Sequence, residues 1–218
     1  MLRIGIVSGV EKELAAFLPG VARDRRDGCE HVVHAGRDVF LLCNGIGKVA
    51  AATAATLLHA RHGVELLLVI GTAGKIGDAP GELFNIVEAV QADFGAQRPT
   101  GLVHYTPGTA PLGPASVSAY RAQALPPLGL PEIRIATSDL FIECGSHAVR
   151  VRDALGAVLV DMETAAVAQA AHLLGVPWAA IKATTDSADG DSAGNFLANL
   201  ERAARASAMA AERLIAQL

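Results

Sequence analysis

The sequence predicts an α/β protein: a three-layer α/β/α sandwich around a central mixed, largely parallel twisted sheet. Three observations predict it. Short apolar runs alternate with alanine-rich runs at helical spacing along most of the 218 residues, an order that builds a sheet covered by helices. The strand-like run at 65–70 is continuously apolar from Leu66 on, as strands buried on both faces are. Gly63 and Gly175 stand just past two of the helix-like runs, where a left-handed C-terminal cap favours glycine.

The elements follow in order. Residues 4–7 read as a first strand and 11–18 as a helix stopped near Pro19-Gly20. Residues 31–34 and 38–43 form a hairpin around Gly36, and 48–62 an alanine-rich helix. Strands at 65–70 and 83–90 come next. Residues 95–131 hold seven of the ten prolines and read as an irregular Pro/Gly-rich excursion flanking the site, with one short helix near 115–124. Regular alternation returns with strands at 133–137 and 157–160, a helix at 163–174 and a strand at 178–183. The terminal helix, 195–217, carries Leu197, Leu200, Ala204, Ala208, Ala211 and Ile215 at helical spacing. A single domain over 1–218 is expected.

Composition excludes several classes. The net charge is −4 and only 18% of residues are charged, which argues against a nucleic-acid binder. Arg23-Asp24-Arg25-Arg26 reads as a solvated turn. No apolar run reaches the roughly 18 residues a membrane span needs, and the N-terminal apolar stretch is too short for a signal peptide. Cys29, Cys43 and Cys144 show no CxxC spacing. They read as small buried hydrophobes in a reducing, cytoplasmic setting.

The chemistry sits at strand ends. Val160-Asp161-Met162-Glu163 and Ala183-Thr184-Thr185-Asp186-Ser187-Ala188-Asp189 each close an apolar strand with carboxylates, and Glu11 and Glu13 follow the first strand. Carboxylates at strand ends of an α/β sheet can converge on one crevice. Taken singly, each has a plain structural reading. Glu13 is an ordinary solvated helical Glu, Glu163 a first-turn Glu, and Asp186 and Asp189 are turn or cap residues. Gly45-Ile46-Gly47-Lys48 and Gly71-Thr72-Ala73-Gly74 are tight turns that can let a ligand approach the backbone.

Together, in this order, these segments resemble the nucleoside phosphorylase/nucleosidase superfamily. Within it they are most similar to the 5′-methylthioadenosine/S-adenosylhomocysteine nucleosidases. The stretches that carry the resemblance also include Gly5 to Glu13, Asn44 to Ala51 and Ser138-Asp139-Leu140-Phe141-Ile142. Lys182 to Asp191, with Phe196-Leu197-Ala198-Asn199-Leu200, is similar to the plant-type branch. The resemblance implies hydrolysis of the N-glycosidic bond of a 5′-modified adenine nucleoside, with no metal or organic cofactor. It implies Asp186 as the acid that protonates N7 and Glu13 as the group that activates water. Glu163 binds the ribose hydroxyls, with Met162 under the sugar. Thr72, Phe141 and Ile142 line the purine and ribose pocket, with Thr185 beside Asp186. Val10, Ile46 and Phe196 meet the 5′ substituent. It further implies a homodimer, with His104 and Tyr105 as candidates to complete a partner's pocket.

Phosphorylases of this superfamily carry an Arg before the Gly-Thr segment, where this chain has Ile70, and a Gly-Asp-Pro where it has Gly9-Val10-Glu11. Phosphate needs such cationic forks, so water is the expected nucleophile. The alternatives are a phosphorylase or a futalosine-type hydrolase. The latter tend to have Asn at the position of Asp186. Lys75 stands where a second glycine is usual, so the turn after Gly74 is expected to differ.

Overall fold

A computed structural model describes residues 1–188 and 191–218; Asp189, a candidate cap in the sequence, lies outside the described residues. The first strand, β1 (Arg3–Ser8), leads into α1 (Glu11–Ala15). An exposed edge strand β2 (Asp24–Arg26), then β3 (Cys29–His34) and β4 (Arg37–Cys43), precede α2 (Lys48–His62). Next come β5 (Leu66–Lys75), β6 (Leu83–Gln91), a small hairpin of β7 (Gly95–Arg98) and β8 (Gly101–His104), and β9 (Tyr120–Arg121). The chain ends with β10 (Glu132–Thr137), α3 (Gly145–Leu155), β11 (Leu159–Asp161), α4 (Thr164–Leu174), β12 (Trp178–Asp186) and α5 (Ser192–Gln217).

The sheet order is β11-β10-β6-β12-β5-β1-β4-β3-β2, with β9 on β6. Strands β4, β1, β5 and β12 run parallel, as do β6, β10 and β11; the two blocks meet antiparallel at β12–β6. Twist carries the sheet round until β11 pairs antiparallel with the end of β5, Val160 facing Gly74. That closure delivers the segment after β11 to the ends of β1, β5 and β12. It positions the site.

Helices cover both faces. The apolar side chains of α2 and α4 pack with Val69, Phe84 and Ile135 on one face. Those of α1 and α5 pack with Ile6, Leu68 and Ile181 on the other. Glycines 63, 156 and 175 end α2, α3 and α4 in the left-handed region, with φ of 59°, 63° and 69°, a conformation that costs a residue with Cβ about 1 kcal/mol or more.

Four expectations are corrected. Helix α1 stops at Ala15 rather than 18, because Leu18 turns left-handed (φ 45°) and gives its N–H to Glu212 Oε1 at 2.8 Å. No helix forms near 115–124. There the chain is extended, Ser116 bridging Tyr105 and β9 pairing with Glu88 and Ala89, so the edge of β6 meets its backbone hydrogen bonds. The basic cluster is not a turn: β2 is an edge strand, and Arg23 reaches Glu30 and the carbonyls of Leu14 and Phe17. Cys144 is exposed and precedes α3, and the Ser146 hydroxyl pulls its thiol below the usual range. Lys75 extends β5 opposite Leu159 and sends its ammonium to the carbonyls of Ala79 and Gly81.

Candidate active site

A crevice of about 130 Å³ opens where the strand ends meet. Glu13, Glu163 and Asp186 all line it, as do Val10, Ile46, Thr72, Phe141, Ile142, Met162, Thr185 and Phe196. Four carboxylates (Asp161 is the fourth) share this wall, and no Lys, Arg or His is among its described lining residues. Among the described residues no group of three or more His, Cys, Asp or Glu side chains is placed to hold a metal ion.

Glu13 points inward from α1 and is 3% exposed, unlike its exposed neighbour Glu11. Its Oε1 accepts from the Thr72 N–H at 2.8 Å and the Thr72 hydroxyl at 2.6 Å. Its Oε2 accepts from the Ser8 hydroxyl at 2.6 Å. Both oxygens are held, yet the carboxylate keeps lone pairs for a further donor. The solvated-helix reading of Glu13 fails because the turn at Gly9-Val10 aims the first turn of α1 at β5.

Glu163 precedes α4 and is 7% exposed. Its Oε1 accepts from the Gly47 N–H at 3.3 Å, and its Oε2 lies 3.8 Å from Lys182 Nζ. Burial pushes its carboxyl up to about 7 against the pull of Lys182, with Asp161 and Glu13 adding repulsion. Burial wins because Lys182 is committed elsewhere: its Nζ sits 3.0 Å from Asp161 Oδ2. Burial alone would lower the lysine, but Asp161, Glu163 and Glu13 outweigh it and hold Lys182 above its ordinary range. Asp161 is the structural member of this set. Its oxygens also accept from Thr137 at 2.5 Å and from the Thr164 N–H and hydroxyl.

Asp186, half-buried at the end of β12, accepts from the Thr185 hydroxyl at 2.8 Å and the Ala188 N–H at 2.9 Å. Asn199 on α5 donates to the Thr185 carbonyl at 2.9 Å, tying this strand end to the helix. Phe141 meets Phe196 edge-on at 6.0 Å, forming an apolar flank.

Gly71 and Gly74, read from the sequence as room for a ligand, make room for carboxylates instead, and Gly9 does the same. A Cβ at Gly9 would stand 2.5 Å from Glu163 Oε1, one at Gly71 2.5 Å from Glu13 Oε2, and one at Gly74 3.0 Å from Asp186 Oδ1. Each acidic group is therefore backed by a glycine. Sequence reasoning missed Lys182, Ser8 and these pairings. The only signal was a lone lysine inside the apolar strand 178–183, which reads equally as an edge residue. Tyr105 is 2% exposed and gives its hydroxyl to Gly113 O at 2.7 Å within its own chain, which removes it as a side chain lent to a partner. His104 hydrogen-bonds the Ala92 carbonyl at 2.9 Å.

Comparison with known proteins bears on the family and the fold. A family model described as the phosphorylase superfamily matches residues 3–216. The chain is 30% identical to the 5′-methylthioadenosine/S-adenosylhomocysteine nucleosidase of Tolumonas auensis over the whole of both chains. It is 29% identical to that of Mycobacterium bovis over 97% of this chain and 96% of the other. In fold it is similar to the Helicobacter pylori nucleosidase solved with 5′-methylthioadenosine in its active site, with a TM-score of 0.84 at 22% identity over all of both chains. A futalosine hydrolase structure from the same organism gives the same values. The chain belongs to the phosphorylase superfamily and, within it, to the family of the 5′-methylthioadenosine/S-adenosylhomocysteine nucleosidases.

Proposed function

We propose that this protein hydrolyses the N-glycosidic bond of 5′-methylthioadenosine, S-adenosylhomocysteine or both, releasing adenine. The observation that carries the reading is the convergence of Glu13, Glu163 and Asp186 on one crevice whose described lining holds no cation. A phosphate nucleophile would meet four carboxylates there; water meets a hydrogen-bond acceptor.

In this reading water attacks the sugar carbon as its bond to the purine breaks, through an oxocarbenium-like state of the kind glycoside cleavage passes through. The bonding electrons leave with adenine, and Asp186 neutralises them by giving its proton to N7. Glu13 takes a proton from water, held for that task by Thr72 and Ser8. Glu163 accepts hydrogen bonds from the ribose hydroxyls, and Met162 packs under the ring. Val10, Ile46 and Phe196 offer an apolar berth to the 5′ substituent. An acid and a base within one pocket are what general acid–base catalysis asks for.

A second reading, a futalosine-type hydrolase, draws on the fold shared with that enzyme. Asp186 favours the adenine nucleoside: one oxygen can donate to N7 while the other accepts from the 6-amino group. A 6-oxo purine would place an acceptor there. The proposal extends to a cytoplasmic homodimer, supported by three free cysteines and by the exposed apolar side chains Ile46, Val49, Leu140 and Phe141 near the crevice mouth. Light scattering on the purified protein tests the dimer. Asp186→Asn tests the mechanism. Turnover of 5′-methylthioadenosine should disappear while the urea midpoint stays put; surviving turnover would remove Asp186 as the acid.

A further inference from the structure

Lys48, the first residue of α2, ties two segments that border the crevice, the turn carrying Ile46 and the loop carrying Phe141, to the end of β6. Its Nζ donates to Gln91 Oε1 at 3.1 Å, on the last residue of β6, and to Asp93 Oδ1 at 2.5 Å, just beyond it. It also lies 3.9 Å from Asp139 Oδ2. The Lys48 N–H donates to Asp139 Oδ1 at 2.7 Å, and the Asp139 N–H to Asp93 Oδ2 at 2.9 Å. Asp139 thus caps α2 from a distant loop, since the residue in the cap position, Gly47, has no side chain to do so. Gln91 continues the chain of contacts to Gln169 on α4 at 2.6 Å.

An ion pair on the surface would contribute little. This one is only 19% exposed at the lysine and 21% at Asp93, and what it holds is informative. The residue before Lys48 is Gly47, whose N–H reaches Glu163 Oε1. Gly47 adopts φ 107°, and a Cβ there would stand 3.2 Å from Asp139 Oδ1. Two residues before Lys48 is Ile46, and two after Asp139 is Phe141, both on the crevice wall. One ammonium therefore fixes the turn that donates to Glu163 against the loop that carries the purine wall.

We propose that Lys48 is a positioning residue for the crevice: through Asp93 and Asp139 it holds the Gly45–Lys48 turn so that the Gly47 N–H orients Glu163 toward the ribose. This rests on the reading of Glu163 as the ribose-binding group. Positioning effects of this kind are large, because a displacement of about 1 Å can cost about a hundredfold in rate.

The test compares Lys48→Met, Lys48→Arg, Asp93→Asn and Glu163→Gln, and the double variant Lys48→Met/Glu163→Gln, by steady-state kinetics on 5′-methylthioadenosine and its 3′-deoxy analogue. The expected results are a fall of about tenfold in kcat/KM for Lys48→Met, recovery to within threefold for Lys48→Arg, and a smaller fall for Asp93→Asn. The Lys48→Met loss should shrink below twofold in the Glu163→Gln background and on the 3′-deoxy substrate. An equal loss in both backgrounds, or none in either, overturns the role of Lys48. A Glu163→Gln variant that keeps full activity and normal discrimination against the 3′-deoxy substrate overturns the reading of Glu163 itself, and that outcome is visible without any Lys48 variant.

Discussion

Glu163 is predicted to make the protein less stable as pH rises, and its replacement by Gln to remove that loss. The buried carboxyl is lifted from 4.5 to about 7. At about 1.36 kcal/mol per pH unit, ionising it in the fold costs about 3 kcal/mol more than ionising it in the unfolded chain. The side chain is 7% exposed, so solvent screening removes little of this. Between pH 4.5 and 7 the folded protein binds more protons at this site than the unfolded chain does. Stability from this group is therefore full below 4.5 and lost as pH rises through 7. Glu163→Gln keeps the shape without the charge. Titrating groups that do not touch Glu163 are common to both proteins and cancel in the comparison, and Lys182, held above its ordinary range, stays charged across this window. Urea unfolding at pH 5, 6.5 and 8 should show the variant close to the parent at pH 5 and more stable by about 3 kcal/mol at pH 8, even as it loses activity. A gap that does not change with pH, or a variant less stable at pH 8, would refute the reasoning.

Other expectations follow from the same contacts. Lys182→Met leaves Asp161 and Glu163 buried without their cation and should lower stability by about 3–5 kcal/mol. Loss of the cation also moves Glu163 further above 7, which should carry the acidic limb of the kcat/KM profile to higher pH. Gly9→Ala drives a methyl group against Glu163 and should reduce kcat/KM by about a hundredfold, as read by initial rates, with a small change in urea midpoint. Ser8→Ala frees Glu13 Oε2 of its 2.6 Å partner; kcat should fall about tenfold with KM nearly constant.

Much of the fold was legible because its punctuation is local. Gly63 and Gly175 mark the ends of α2 and α4 in the sequence as they do in space, and the apolar run 66–70 could be little other than a buried strand. Helix α3 is absent from the elements predicted from the sequence, because its stretch is short and charged, although Ala148, Val151 and Leu155 stand at helical spacing before Gly156. The pairing of β11 with β5 was not legible, because it depends on how far the sheet twists. The gathering of Glu13, Glu163 and Asp186 could be read because each sits in a motif at or just past a strand end, and strand ends gather at one edge. Lys182 could not. Its partner Asp161 lies on another strand, and nothing in 178–183 says which way a lysine points. The glycines at 9, 71 and 74 were visible, but the carboxylates they accommodate come from distant segments.

The most direct measurement is product analysis of 5′-methylthioadenosine incubated with the purified protein in ¹⁸O-labelled water, with and without inorganic phosphate. Adenine should appear together with methylthioribose bearing one ¹⁸O at the anomeric carbon, at a rate indifferent to phosphate. A methylthioribose phosphate formed only when phosphate is present would contradict the account, since its nucleophile would then be the anion that Glu13 and its neighbours should repel.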